Sequence, residues 1–487
     1  MPGNIVRIRG IVQGVGFRPM IWRLAQQHQL TGKVWNDGQG VLIHVQGQST
    51  DLQEFLRQIP LQLPPLAKLT ALEVTELNDT QAYQSFQIVT SQADCINTPI
   101  AADAATCPAC LADITEPGNR RFGYAFTNCT HCGPRLSIVR QVPYDRDNTS
   151  MAEFPLCRQC QQEYDDPSDR RFHAQATCCP ACGPQLWLED HQGQGLACEN
   201  PIRQAAALLK QGYIVAVKGL GGFHLACAAD NAEAVRRLRE RKRRYAKPCA
   251  LMARDVQVIA CYAQLQPEEQ RALQDKAAPI VLLTAQGQSL PEAIAPNDDK
   301  LGFMLPYTPL HTLLLQDFDS PIVLTSGNLS DEPQCTANEQ ARAKLAGIAD
   351  YLLLHERSIV NRLDDSVLRL MDGKLRVLRR ARGFSPEALL LPIGFESARP
   401  ILAMGAELKN SFCLLKNGQA VVAQHIGDLE NVAVQYDYRN AIALYQQLYD
   451  FQPECLAVDS HAGYLSSQYG QVLAETAQLA VVTVQHH

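Results

Sequence analysis

Eight cysteines constrain this chain more than any other feature. Cys107, Cys110, Cys129 and Cys132 are spaced C-x2-C-x18-C-x2-C, and Cys157, Cys160, Cys179 and Cys182 repeat the spacing 50 residues later. Two residues between thiolates let one tight turn aim both sulfurs at a tetrahedral ion, and a second doublet closes the shell, so each set predicts one structural zinc site. The match extends beyond the ligands: Arg121-Phe122 corresponds to Arg171-Phe172, Thr127 to Thr177, and Gly133-Pro134 to Gly183-Pro184. This is a duplicated module. The spacing leaves open whether ligands are exchanged between the copies. A closed four-sulfur shell has no position for water, so the predicted role is scaffold rather than chemistry. Cys178 falls outside the pattern and reads as a spare thiol.

Seventeen cysteines argue for metal ligation in a reducing compartment rather than for a disulfide framework. The N-terminal MPGNIVRIRG lacks the apolar block of a secretory signal, and no apolar run approaches the roughly 20 residues a bilayer span needs, so a cytoplasmic protein is expected. The net charge of -6 means that a nucleic-acid partner would have to meet a local basic patch. With 487 residues the chain should divide into three or four domains.

Residues 4–12, NIVRIRGIV, read as a strand, QGVGFR as a glycine loop and PMIWRLAQQHQL as a helix with Pro19 in its first turn. The backbone amides of Gln13, Gly14, Val15, Gly16 and Phe17, with Arg18, would converge at a helix N-terminus, a geometry that cradles a phosphate. The segment GIVQGVGFRP followed by GKVWNDGQGVLIHVQG resembles acylphosphatase, an α/β sandwich, over residues 1–91. The resemblance implies that Arg18 binds an acyl phosphate and that Asn36 positions the attacking water. A mixed anhydride is already activated, so charge neutralisation and an oriented nucleophile suffice.

The twin modules occupy residues 105–188, and from 199 helices and strands alternate. GYIVAVKGLGGFHLAC holds a buried strand and a glycine loop with Lys218, and AEAVRRLRERKRRYAKPCALM starts as a helix and ends as a strand. Eight basic residues against one acid, Glu240, lie between Arg236 and Lys247. Followed by the hydroxyls and loop amides of TSGNLSDEP, they suit a triphosphate better than a duplex. The combination resembles the YrdC-type domain, whose KxR and S-x-N motifs match Lys242, Arg244, Ser326 and Asn328, with Lys247 and Lys218 beside them; the resemblance implies ATP binding and an acyl adenylate. Arg362, Asp364, Asp365, Arg379, Arg380 and Arg382 extend the match to about residue 386. His224 and His311 read as core histidines.

LPIGFESARP reads as a linker, and residues 399–487 open with a strand and a hairpin turned by Asn417-Gly418. This start, with DSHAGYLSSQYG at 459–470, resembles the amino-terminal part of an actin-like (ASKHA, Kae-type) carbamoyltransferase domain. The family's Asp-Leu-His-Pro-Gly-Tyr is here Asp459-Ser460-His461-Ala462-Gly463-Tyr464. The family carries an H-H-H-A-H metal motif where this chain ends in VQHH, which implies that His486 is the first ligand of an incomplete terminal metal site and that the chain is truncated. Half an actin-like fold is expected to be unstable or rearranged.

The fold class is therefore multidomain α/β: an acylphosphatase-like sandwich, two four-cysteine zinc-finger modules, a YrdC-like domain and the start of a Kae-type domain. That order resembles the HypF family of [NiFe]-hydrogenase maturation carbamoyltransferases along the whole chain. The resemblance implies that carbamoyl phosphate is hydrolysed at Arg18 and Asn36. Carbamate would then be activated by ATP and Mg2+ as carbamoyl adenylate, and carbamoyl passed to the C-terminal cysteine of HypE for cyanide-ligand synthesis. The zinc modules, lying between the site that makes a fragile intermediate and the site that uses it, would stiffen the junction and wall the passage. Two other readings compete. A threonylcarbamoyl-adenylate synthase of tRNA modification leaves the first module unexplained, and a zinc-ribbon nucleic-acid binder is opposed by the acidic net charge.

Overall fold

A computed structural model of the chain describes residues 2–77, 83–89, 100–141, 144–330 and 332–485. His486 lies outside the described residues. The first unit is a five-stranded sheet. Strand β1 (Gly3–Ile11) runs antiparallel between β3 (Gly40–Gln46) and β4 (Lys68–Glu76), and β2 (Thr31–Asp37) lies between β3 and β5 (Phe86–Ile88), giving the order β4-β1-β3-β2-β5. Helices α1 (Phe17–Gln27) and α2 (Ser49–Gln58) cover one face, burying Phe17, Ile21, Leu24 and Phe55 against Val6, Ile8, Val34 and Ile43. Alternation along β1 explains this: Val6 and Ile8 face the helices while the residues between them stay half-exposed.

Each zinc-finger module contributes one short helix, α3 (Pro108–Thr115) and α4 (Arg158–Asp165), immediately after its first cysteine. Tyr124, Phe126, Ile138, Met151 and Cys178 from this region join a core that also contains Val215, Val217, Leu324 and Leu353. The modules thus pack on one face of the next sheet, and Cys178 is a buried packing thiol.

That sheet has ten strands: β6 (Leu186–Asp190), β7 (Val215–Lys218), β8 (Phe223–Ala228), β9 (Ala250–Met252), β10 (Ile280–Thr284), β11 (Lys300–Met304), β12 (Ile322–Ser326), β13 (Tyr351–His355), β14 (Val367–Met371) and β15 (Lys374–Arg379). Their order is β15-β14-β10-β11-β9-β12-β8-β7-β13-β6. Both faces are covered, so the central strands β7 and β8 are buried at every position, as their mostly apolar sequences require, with Lys218 and His224 the polar exceptions. Strand β6 follows directly on the second cysteine module and pairs with β13 at the sheet edge, so the module is tied to the third unit by backbone hydrogen bonds.

The last sheet, in the order β16-β19-β18-β17-β20-β21, comprises β16 (Ala388–Leu390), β17 (Ile401–Ala403), β18 (Cys413–Lys416), β19 (Gln419–Val422), β20 (Cys455–Asp459) and β21 (Ala480–Val484). Its first strand, β16, lies immediately before the stretch LPIGFESARP that reads as a linker. Helix Val432–Leu448 buries Tyr438, Ile442 and Tyr445 against it, and β21 is exposed along its length. Among the described residues no helix is long and apolar enough to cross a membrane.

Candidate functional site

Both cysteine clusters close within their own module. In each, the four Sγ atoms lie within 4.8 Å of one another. The separations of 3.7 Å for Cys107–Cys129, 3.9 Å for Cys129–Cys132 and 3.7 Å for Cys157–Cys179 and Cys160–Cys182 match the edge of a tetrahedron, about 3.8 Å, around an ion with Zn–S bonds of about 2.3 Å. The thiolate set therefore fits zinc.

What the copies exchange is arginines. Arg120 and Arg121 of the first module donate to Cys160 Sγ at 3.2 and 3.5 Å and bind Glu163 of the second. Reciprocally, Arg170 donates to Cys110 Sγ at 2.9 Å, and Arg170 and Arg171 bind Asp113. Asp113 and Glu163 occupy equivalent repeat positions, so the pair is locked by a pseudo-twofold set of charge-assisted bonds around the sulfurs. The doubled Arg-Arg-Phe was legible as repetition, but its crossing between copies was not.

The glycine loop lies between β1 and the start of α1. Gly14 (φ 68°) and Gly16 (φ 79°) are left-handed, a backbone conformation that glycine takes without strain. Gln13 Nε2 donates to the carbonyls of Asp37 and Gly40, both at 2.9 Å, which ties the loop to the end of β2. Asn36 stands there, and with its amide oriented so that the oxygen faces the guanidinium, that oxygen accepts from Arg18 Nε at 3.2 Å and Nη2 at 3.3 Å. Burial lowers the Arg18 pKa, opposed by the charge of Asp145.

The zinc region roofs this loop. A Cβ on Gly14 would fall 2.9 Å from Tyr144 Cδ1, and one on Gly16 would fall 2.8 Å from Thr130 Oγ1 and 3.4 Å from His131 Nε2. Nothing in the linear sequence signalled that contact.

In the third unit Lys242, at the end of helix Ala232–Lys242, is fully buried, and its Nζ donates to the carbonyls of Ser326 at 2.6 Å and Asn328 at 2.5 Å and to Asn328 Oδ1 at 2.7 Å. Burial, then the charges of Arg244 and Lys247, push its pKa down to about 7. The two motifs, 84 residues apart, are thus clasped by one ammonium. Arg244 reaches Thr325 Oγ1 at 3.3 Å and the Lys247 carbonyl at 2.9 Å. Lys247 is lowered by burial and then by Arg379 and Arg244, and it senses Asp364 and Asp428. Lys218 stands apart from the clasp, its Nζ donating to the His355 carbonyl at 2.8 Å, with its pKa depressed to about 8 by burial and then by Arg357.

The basic run does not make one charged face. Arg236 pairs with Glu233 and Glu240, Arg239 donates to the carbonyls of Tyr245 and Ala293, and Arg241 binds Asp350. Only its end, Lys242 to Lys247, borders the clasp.

Asp364 and Asp365 are half-buried, Asp364 where His425 of the fourth unit approaches the third. Burial pulls both carboxyls upward, but neighbouring groups prevail and both pKa values are lowered: chiefly by the Arg362 charge, with His425 beside it, for Asp364, and by the Arg382 charge, with a hydrogen bond from His224, for Asp365. Arg362 bridges Asp364 at 3.1 Å to Asp437 at 2.8 Å. Arg382 binds Asp365 at 2.9 Å and lies 3.4 Å from the Tyr307 ring centre. His224 is 3.4 Å from Asp365, and His311 is a fully buried core residue. His425 and Asp437 were missed by sequence reasoning because they approach Asp364 only through packing of the fourth unit on the third.

Four families match in series. Acylphosphatase matches residues 5–88, the HypF finger 106–139 and 156–189, the Sua5/YciO/YrdC family described as telomere recombination 207–381, and the HypF Kae1-like domain 396–487. Carbamoyltransferase HypF of Rhodobacter capsulatus is 51% identical over 99% of this chain and 64% of its own length. That of Synechocystis sp. is 46% identical over 99% and 62%. A crystal structure of full-length HypF in a phosphate- and nucleotide-bound form superposes with a TM-score of 0.95 at 45% identity, covering 100% of this chain and 63% of that one, and T. kodakarensis HypF with 0.86 at 40% and the same coverage. The chain spans less than two thirds of the relatives it matches. With the HypF finger and the HypF Kae1-like domain both matched and 99% of the chain aligned to these relatives, the chain belongs to the HypF carbamoyltransferase family.

Proposed function

We propose that this chain carries a two-site relay of carbamoyl activation. At the first site, carbamoyl phosphate is hydrolysed to carbamate and phosphate, with Arg18 and the amides of residues 13–17 holding the phosphate and Asn36 orienting water. At the second, a carbamate oxygen attacks the α-phosphorus of ATP and expels pyrophosphate, leaving carbamoyl adenylate. Arg244 and Lys247 neutralise the phosphates, and Lys242 holds the Ser326–Asn328 turn that meets them. Magnesium accompanies the triphosphate. Carbamoyl then passes to the C-terminal cysteine thiolate of HypE, releasing AMP, as the source of the iron cyanide ligands. Domain limits of 1–91, 105–188, 199–386 and 399–487 remain the working division. A cytoplasmic setting belongs to the same proposal, supported by the eight reduced thiolates that the zinc sites require.

The observation that carries the reading is the roofed loop: Arg18 and Asn36 meet beneath the zinc modules, where a water-labile product is shielded as it forms. The test is product analysis with carbamoyl phosphate, ATP and magnesium. AMP and pyrophosphate should appear only with carbamoyl phosphate and vanish in Arg18→Ala. AMP formed instead from threonine and bicarbonate would establish threonylcarbamoyl-adenylate synthesis in its place.

A further inference from the structure

Six arginines are buried among the described residues, and five of them find acceptors. Arg121 and Arg171 bind the acids of the opposite zinc module, Arg382 binds Asp365, and Arg135 and Arg239 donate to backbone carbonyls. The sixth is Arg357. It is 6% exposed, its Nε is buried without a partner, and its guanidinium makes no hydrogen bond or ion pair to any described residue. Burial lowers its pKa, yet a guanidinium keeps its proton in a protein, so the charge stays. A charge held in the interior without a partner destabilises the fold that holds it.

Neither neighbouring carboxylate supplies the partner. Glu356 is exposed and accepts from Gln185 N at 2.9 and 3.0 Å. Asp103, whose charge Arg357 senses through space, accepts instead from Arg135 N, Ser137 N and Ser137 Oγ. What the guanidinium meets is the ring of Phe126, with Cζ 5.1 Å from the ring centre. His355 meets the same ring edge-on at 5.0 Å, and its Nδ1 is also buried without a partner. That aromatic wall belongs to the first zinc module alone, because Tyr124 and Phe126 correspond to Ala174 and Ala176 in the second.

The segment that carries Arg357 touches the surroundings of both sites. Val360 N and Asn361 N donate to Ser137 O at 2.9 and 3.1 Å, and nearby the Pro134 carbonyl accepts at 3.1 Å from Tyr144, the ring seated on Gly14. On the other side Leu363 N donates at 3.0 Å to Gly221 O, in the loop between β7 and β8, and β8 sets His224 in register with Ser326 of the clasp. Resting on the relay reading for its source, we infer that Arg357 is an anion-binding residue that takes a planar monoanion of the carboxylate class, carbamate, at the junction of the first zinc module with the third unit. One guanidinium balances a monoanion, and its planar fork seats two carboxylate oxygens, whereas a phosphate dianion would leave a negative charge buried and unpaired. Bicarbonate from solvent has the same chemistry, so the two sources are separated by the test.

The test uses the full chain, Arg357→Met and Arg357→Lys, with formate as the probe. At constant ionic strength formate should raise the urea midpoint of the parent saturably and leave that of Arg357→Met unmoved. Without formate, Arg357→Met should be at least as stable as the parent, because a buried unpaired charge has been removed. A less stable variant, together with no response of the parent to formate, overturns the inference and makes Arg357 a structural residue. For the source, AMP formed per phosphate released from carbamoyl phosphate should fall at least about tenfold in Arg357→Met, the loss of one charged hydrogen bond. Arg357→Lys, which keeps the charge and loses the fork, should recover part of that ratio. A formate response with an unchanged ratio overturns carbamate as the ligand and assigns the site to bicarbonate. Absence of AMP from the parent, with the formate response intact, overturns the relay and leaves the anion site standing.

Discussion

Glu163→Gln should destabilise the zinc-module pair by about 3 kcal/mol at neutral pH. Burial pushes the Glu163 carboxyl upward, but hydrogen bonds from Arg121 and Arg120 more than reverse this and hold it at about 2, against an ordinary 4.5. A depressed carboxyl stabilises the folded state fully above its ordinary value and loses that contribution as pH falls toward the depressed one, so an assay at neutral pH reads all of it. A depression of that size corresponds to about 3 kcal/mol. A second route points the same way: Arg121 is buried and bonded to the half-buried Glu163 at 2.5 and 3.1 Å, so the loss should lie at the lower end of the roughly 3–5 kcal/mol that breaking a buried pair costs. The assay is urea-induced zinc release at neutral pH, followed with a colorimetric chelator. Adding Arg121→Met should recover part of the loss, because one buried guanidinium is no longer left short of its carboxylate. A loss below about 1 kcal/mol, the worth of an exposed ion pair, or strict additivity of the two changes, would refute the reciprocal lock.

Lys242→Met removes the ammonium that clasps Ser326 and Asn328, so AMP formation should fall by at least about tenfold while Arg18-dependent phosphate release stays within about twofold; parallel loss of both would show that Lys242 only supports folding.

The units were legible because their signals are local. Cysteine doublets with two residues between them point to a metal within one turn, glycines at 14 and 16 announce a tight loop, and apolar runs such as Ile214–Val217 announce buried strands. The clasp of Lys242 on Asn328 was legible only through family resemblance, since a sequence separation of 86 carries no spacing rule.

Sequence by itself determined the two four-cysteine clusters, the glycine loop that leads into the first helix and the order of the modules, because each depends on residues whose geometry is set within a few bonds or one turn, whereas the pairing of Arg18 with Asn36 was named only through family resemblance. Tertiary structure decided three further things. It directed Arg120, Arg121, Arg170 and Arg171 to the opposite copy's acid and thiolate, seated Tyr144 and Thr130 on the glycine loop, and turned the basic run from a charged face into separate carbonyl and carboxylate contacts. Each follows from the packing of one surface on another: a buried guanidinium must find acceptors, and which ones are within reach is known only once the modules are docked.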